Sequence, residues 1–339
     1  MVKYPQQGKK CSDKERKVET MRKEARETKQ VTLERIQGYH EGYRNGNYAF
    51  QGYTENKYFT SDRYIKLDEN FQRPDGKPLQ GFGLEIETEC RTITDETVLA
   101  NVMKKVVFEL FPADLFKMQR DGSLAGNTSV ECITQPMTRE FIRNHYNAFK
   151  AMYDSYYPSL GLVCGDSCGM HVNISNAIFG TDTHKQQEAI KKLLYIVNHH
   201  FNLIAALTAR NIRQTTYCGR MSQYAVMDGA KNANLDNMPS SHGNCCNFSH
   251  YPEGRVKLRI VGGQRTFGSF RNTMESVFHL CAAVKSISWK DCDDITKIFA
   301  GCNRYVYDRL KTLCYTAGTI TLEQLETIKN TVDMETRYL

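Results

Sequence analysis

The sequence predicts an α+β fold: a curved, mainly antiparallel sheet with helices on one face and a charged concave face on the other, preceded by an N-terminal helical arm. Three observations predict it. Four segments (81–89, 129–136, 170–175 and 255–261) carry apolar and ionisable residues in strand-like patterns. Long segments with apolar residues at helical spacing run between and after them. A dense mixture of Lys, Arg and Glu over the first residues gives way to these patterns past a turn at Arg73-Pro74-Asp75-Gly76.

From Ser12 to about Gln37, charged residues dominate and apolar ones are few (Val18, Met21, Val31, Leu33, Ile36), as in a solvated helix. Its side-chain charge pairs are each worth only tenths of a kcal/mol and a docking surface is needed to hold it, so it reads as a solvated or frayed helix, the alternative being an arm that binds a protein partner. Residues 38–80 are rich in Gly, Asn, Tyr and Asp. The chain is therefore divided into an arm and linker over 1–78 and a main domain over 79–339. GFGLEIETE (81–89) sets Phe82, Leu84 and Ile86 against Glu85, Glu87 and Glu89, a strand with a carboxylate face. A helix over 95–110 follows, with Thr94 as its expected cap. SVECITQP (129–136) is a strand closed by proline, and 138–156 a helix. MHVNIS (170–175) opposes Met170, Val172 and Ile174 to His171, Asn173 and Ser175. The strongest apolar stripe predicts one helix over 184–208, with Thr183 and Gln186 as a capping box. RVKLRIV (255–261) opposes Val256, Leu258 and Ile260 to Lys257 and Arg259, and helices over 270–287 and from Thr321 complete the domain.

Composition excludes several classes. With 40% hydrophobic residues, 16 Phe, 19 Tyr and only 8 Pro among 339 residues, the chain can fill a sizeable core. No run of about 18 uncharged apolar residues occurs, and MVKYPQQGKK lacks the apolar segment of a secretion signal, so no membrane role is expected. The 12 cysteines, spread along the chain, read as reduced thiols in a cytoplasmic protein, the host's cytoplasm if the chain is phage-encoded. Of the net charge of +7, residues 1–78 supply 17 Lys+Arg against 12 Asp+Glu, or +5. These mixed signs do not make a general nucleic-acid grip.

The four strands deliver Glu85 and Glu87, Glu131, His171 with Asn173, and Lys257 with Arg259. Glu-x-Glu on one strand face sets two carboxylates about 6–7 Å apart, a spacing that suits Mg²⁺ or Mn²⁺ shared with phosphate oxygens. An imidazole adds a further ligand, and Arg259 a bidentate anion clamp.

GFGLEIETE, MQRDGSLAGNTSVECITQP, CGMHVNIS, LTARNIRQTTYCGRM and RVKLRIVGGQRTFGSFRNTMESVFHL, in this order, resemble the amidoligase family of bacteria and phages over roughly 80–285. That family belongs with carboxylate–amine ligases of the glutamine synthetase and glutamate–cysteine ligase type. The resemblance implies a glutamine synthetase-like sheet whose concave face holds ATP and two or three divalent cations, Mg²⁺ or Mn²⁺. A glutamyl, peptide or protein carboxylate is phosphorylated there, and an amine displaces the phosphate. It further implies Glu85, Glu87, Glu131 and His171 as metal ligands, with Asp121 steering the amine or carboxylate. Arg259 and Arg265 would hold phosphate, with Arg210 and Arg213 on the phosphate side.

Two residues depart from the family pattern: Asn173 stands where a second histidine is usual, and Lys257 where an acid precedes the arginine. An ammonium for a carboxylate changes the local charge by two units, each worth about 4 kcal/mol at 4 Å and an effective dielectric of 20. One cation site fewer is therefore expected, with Lys257 taking that cation's place within about 4–5 Å of Glu85 or Glu87. The alternatives are a binding or structural protein, of phage type, that keeps the sheet without the chemistry, and a phosphotransferase without ligation. Elsewhere, Cys164, Cys168 and His171, or His242 with Cys245 and Cys246, lack clean zinc-site spacing. Gly262-Gly263 reads as a close-approach turn around a ligand phosphate, and His199 and His200 as packing or surface residues.

Overall fold

The computed structural model describes residues 81–111, 115–119, 128–211, 218–238, 241, 243–252 and 254–333. The N-terminal arm, the boundary near residue 79, Asp121, Arg213 and His242 lie outside the described residues. Within them the fold is α+β. Strands β1 (Phe82–Cys90), β2 (Phe116–Gln119), β3 (Thr128–Thr134), β4 (Leu162–Val163), β5 (Met170–Ser175), β6 (Cys246–Asn247) and β7 (Arg255–Leu258) form one sheet. Its order is β2-β3-β1-β5-β7-β6, with β4 beside the end of β1, and every pairing of these strands is antiparallel.

Register decides which residues share a face. Phe82, Leu84 and Ile86 stand opposite Ile174, Val172 and Met170, and Val172 and Ile174 opposite Leu258 and Val256. These form the apolar face, which helices cover. Helix α1 is Glu96–Leu110, α2 Arg139–Asn144 and α3 Tyr146–Ala151, and α4 is Thr183–His199, α5 Phe201–Leu207 and α6 Phe267–Ser286. Helices α7 (Arg304–Thr316) and α8 (Leu322–Lys329) follow. The Phe82 ring lies 4.7 Å from Phe278 of α6, and Phe149 of α3 lies 4.4 Å from Phe270.

A buried ionic knot joins the helices. Glu275 of α6 accepts from Arg143 Nε at 2.9 Å and Nη2 at 2.5 Å, from the Tyr146 hydroxyl at 2.7 Å and from Asn303 Nδ2 at 2.7 Å. Asn303 also caps α7, accepting from Val306 N. The carboxylate thus links α2, α3, α6 and the start of α7 with both oxygens doubly satisfied.

Several local expectations are corrected. The cap of α1 is Asp95, whose Oδ1 accepts from Val98 N, rather than Thr94. The cap of α4 is Asp182, accepting from Lys185 N, and Gln186 instead donates to the Gly180 carbonyl. The segment 138–156 is two short helices and a π-helical turn, Met152–Tyr156, rather than one helix. The stripe over 184–208 bends at His200, where φ and ψ are −95° and 33° and the ring Nε2 meets the Cys292 carbonyl at 3.1 Å. β7 ends at Leu258 because Arg259 N and Ile260 N both donate to the Cys245 carbonyl, a bulge that stops the alternation. The Thr321 and Gln324 capping box is present.

The polar face is far from open. Glu87 and Glu131 are each 7% exposed, His171 4% and Asn173 1%, so the expected concave surface is enclosed around its charges.

Candidate metal centre and the arginines beside it

The register that builds the apolar face also builds the site. Glu87 stands opposite Glu131, Glu85 opposite His171, and Asn173 opposite Lys257. Directly opposed residues on adjacent strands share a face about 5 Å apart, so four strands contribute six polar side chains to one patch. Ligand atoms of Glu85, Glu131 and His171 lie within 4.8 Å of one another.

Glu85 is the hub. Lys257 Nζ lies 2.7 Å from Oε1 and 2.9 Å from Oε2, closer than the 4–5 Å expected. Asn173 Nδ2 donates to Oε1 at 2.8 Å, and His171 Nδ1 lies 3.1 Å from Oε2. Burial raises the Glu85 pKa, but the Lys257 ammonium, together with His171, outweighs it and holds the carboxyl well below its ordinary value. Asn173 thus serves Glu85 as a hydrogen-bond donor.

His171 is oriented by the same contact. With Nδ1–H donated to Glu85, a neutral ring turns the lone pair of Nε2 toward Glu87 Oε1, 3.5 Å away. Two electron-rich atoms at that separation call for a proton or a cation between them, and a carboxylate behind a histidine is the usual support of a metal-ligating imidazole. Glu87 Oε2 accepts from Gly169 N. A Cβ on Gly169 would lie 3.1 Å from His171 Nε2, 3.3 Å from Glu87 Oε2 and 3.3 Å from Arg210 Nη1. Its missing side chain is the space in which the cluster and Arg210 meet.

Arg210 is aimed there by the end of α5. Ala209 takes a left-handed φ of 60°, Arg210 N donates to the Ala205 carbonyl at 2.7 Å and Ala209 N to Ala206 at 3.3 Å. This is a Schellman-type ending with alanine where glycine is usual. Arg210 Nη1 reaches the Cys168 carbonyl at 3.3 Å, and its Nε has no protein partner.

The remaining expected residues are distributed differently. Arg265 pairs with Asp166 at 2.7 Å on the surface. Arg259, beyond the β7 bulge and with Nε unpartnered, acts with Arg210 on the Cys218 thiol, which burial nonetheless pushes up to about 12. The carboxylate cluster therefore holds Lys257 and meets Arg210 at Gly169, while Arg265 lies on the surface.

The Gly262-Gly263 expectation is also corrected: the close approach is of backbone to backbone. A Cβ on Gly262 would lie 2.3 Å from the Ala209 carbonyl oxygen, and one on Gly263 3.0 Å from that of Gly165. Gly262 N donates to Thr208 O and Gly263 N to Cys168 O, so neither amide is left for a phosphate. Gln264, fully buried, pins this turn through Gly262 O at 2.6 Å and accepts from Ser269 Oγ at 2.6 Å. Cys164 and Cys168 are buried neutral thiols, the former held well above its ordinary pKa and the latter at about 12, both mainly by burial. All cysteines among the described residues are free.

No family model and no curated protein matches the chain. Among the described residues no helix is long and apolar enough to cross a membrane.

Proposed function

We propose that the chain is an ATP- and Mg²⁺- or Mn²⁺-dependent carboxylate–amine ligase of the amidoligase type, with a glutamine synthetase-like sheet and a glutamyl, peptide or protein carboxylate as substrate. The observation that carries the reading is the convergence of Glu85, Glu131 and His171 within 4.8 Å, with Arg210 meeting the same patch across Gly169. The charge count supports one cation. The formal charges of Glu85, Glu87 and Glu131 with Lys257 sum to −3 + 1 = −2.

In the proposed reaction a carboxylate oxygen attacks the γ-phosphorus and ADP leaves. An amine then attacks the acyl carbon, expelling phosphate and losing a proton to leave an amide. A bound divalent cation supplies charge neutralisation on the transferring phosphoryl group. Of the chain's own residues, Glu85, Glu131 and His171 would hold that cation, with Glu87 Oε1 3.5 Å from His171 Nε2 beside them. Lys257 keeps Glu85 ionised, and Arg210 offers a guanidinium to the transferred phosphate.

The test is purified protein with ATP, Mg²⁺ and pools of carboxylates and amines. Carboxylate-dependent ADP release with an amide product by mass spectrometry is expected, and no nucleotide-dependent thermal shift at millimolar ATP and Mg²⁺ overturns the reading.

One observation favours a second reading, a non-catalytic binding or structural protein. Both Glu85 oxygens are already engaged by Lys257, Asn173 and His171, leaving the hub complete without a cation. On this reading Mn²⁺ leaves the Tm unchanged, and replacing Glu85 and Glu87 by Gln leaves the biological role intact.

A further inference from the structure

A cavity of about 300 Å³ lies between the end of α5, the Gly262-Gly263 turn, the start of α6 and the side of α7. Arg309 of α7 lines it, a residue outside the segments that carry the family resemblance. We infer that this cavity binds a small amino acid, with the ligand's carboxylate on the Arg309 guanidinium and its ammonium on the Asp166 carboxylate.

The first support is a charge without a counter-charge. Arg309 Nη2 donates to the Ala206 carbonyl at 2.7 Å, its one hydrogen bond among the described residues, and no carboxylate there pairs with it. A guanidinium carries five N–H donors in a planar fork, so most of its capacity is left for a ligand, and a carboxylate matches the fork with two parallel bonds. Burial lowers the Arg309 pKa, and an anion beside it would favour the charged form.

The second is an acid on the same lining. Asp166 Oδ1 accepts from Arg265 Nη2 at 2.7 Å, a pair in which the Asp166 side chain is 47% exposed and that of Arg265 63%. Its Oδ2 meets Asn211 Nδ2 at the long distance of 3.4 Å. An exposed ion pair is worth little, so an incoming ammonium displaces Arg265 toward water at little cost. Arg210 takes no part: it faces the carboxylate cluster across Gly169, and its Nε is enclosed. The groups left for the ligand are one cation and one anion, Arg309 and Asp166, which together match a zwitterion.

The third is size and wall chemistry. The volume sits at the lower end of the range of about 300–1,000 Å³ for ligand pockets, which suits a small molecule rather than a nucleotide. Gly165, Gly262, Gly263, Ala206 and Ala209 project nothing larger than a methyl group and leave room for a short methylene chain. The Gly262 and Gly263 amides are already bonded to the Thr208 and Cys168 carbonyls, so they form no backbone nest for a phosphate, whose second charge Asp166 would also repel.

The inference goes beyond the ligase reading, since binding requires neither metal nor nucleotide nor turnover. It is tested by calorimetry on the full chain in EDTA at low ionic strength. Glycine, β-alanine, 4-aminobutyrate and 5-aminovalerate carry one carboxylate and one ammonium at increasing separation, and the member that binds best measures the span from Arg309 to Asp166. Butyrate, which lacks the ammonium, and inorganic phosphate should bind at least about tenfold more weakly than that member. Arg309→Gln should weaken its binding roughly ten- to a hundred-fold, the loss of charge-assisted bonds. Asp166→Asn, a change at an exposed side chain that spares the fold, should weaken it by about three- to tenfold. Absence of binding by all four zwitterions at about 10 mM, equal binding of butyrate or phosphate, or parental affinity in folded variants overturns the assignment. If Arg309→Gln does not fold, Asp166→Asn decides it. Failure here is distinct from failure of the ligase reading, which is scored by amide formation with ATP and Mg²⁺.

Discussion

Replacing Lys257 by Met isolates what its ammonium does, because an unbranched apolar side chain is kept and the charge is lost. The ion pair it removes is short, 2.7 and 2.9 Å to the two oxygens of Glu85, and mostly buried, with side chains 16% and 13% exposed. Stripping one partner from a buried pair costs about 3–5 kcal/mol because a charge is left uncompensated. His171 and Asn173 still donate to Glu85, which places the expected loss near the lower end, about 3 kcal/mol. That corresponds to a fall in Tm of about 6–12 °C for a domain of this size. The same change takes the cluster from −2 to −3 and removes a positive charge from beside any bound cation. At about 5 Å and an effective dielectric of 20 the repulsion relieved for a divalent ion is about 7 kcal/mol before solvent screening, so a gain of at least about tenfold in Mn²⁺ affinity is expected. Thermal unfolding and calorimetry, each with and without Mn²⁺, read both effects. A variant as stable as the parent and no better at binding Mn²⁺ would refute the argument, because Lys257 would then not be neutralising Glu85.

Three further outcomes follow from the packing. Gly262→Ala places a Cβ 2.3 Å from the Ala209 carbonyl oxygen and 2.7 Å from its carbon, both backbone atoms that cannot swing away, so urea unfolding should show a loss of about 3 kcal/mol. Glu275→Gln leaves the buried Arg143 guanidinium without its bidentate carboxylate; a loss of about 3–5 kcal/mol is expected in the same assay, and one below about 1 kcal/mol would mean the knot is not a net stabiliser. His279, with Nε2 2.8 Å from the Ile298 carbonyl, has its pKa lowered by burial, so the unfolded chain takes up the proton first as pH falls. Its stabilising contribution is complete above the unfolded pKa of about 6.5 and is lost as pH drops toward the folded value, at up to about 1.4 kcal/mol per pH unit. His279→Gln should flatten the decline in stability between pH 6.5 and 5, and an unchanged slope would assign it elsewhere.

Strand periodicity made the central sheet legible. Alternation at 82–89 and 170–175 depends only on the two-residue repeat of an extended chain, and β1 and β5 lie where that repeat places them. Helix ends were less legible, since Thr94 and Asp95, or Asp182 and Thr183, are all capable caps and only the backbone path selects among them. The bend at His200 and the bulge after Leu258 left no mark in an apolar stripe that continues through both. Gly169 was visible within a motif, but its reason was not: it is the space shared by His171, Glu87 and Arg210.

What the sequence by itself determined is which residues share a strand face, and so that Glu85, Glu87, Glu131, His171, Asn173 and Lys257 are available to one patch. That follows from local geometry. Strand register and chain crossing decided the rest: that Lys257 reaches Glu85, that a bulge ends β7 before Arg259, and that Arg309, some hundred residues along the chain from Ala206, bonds to the Ala206 carbonyl at the end of α5. Such contacts depend on which segments pack together, and no periodicity within a segment encodes them.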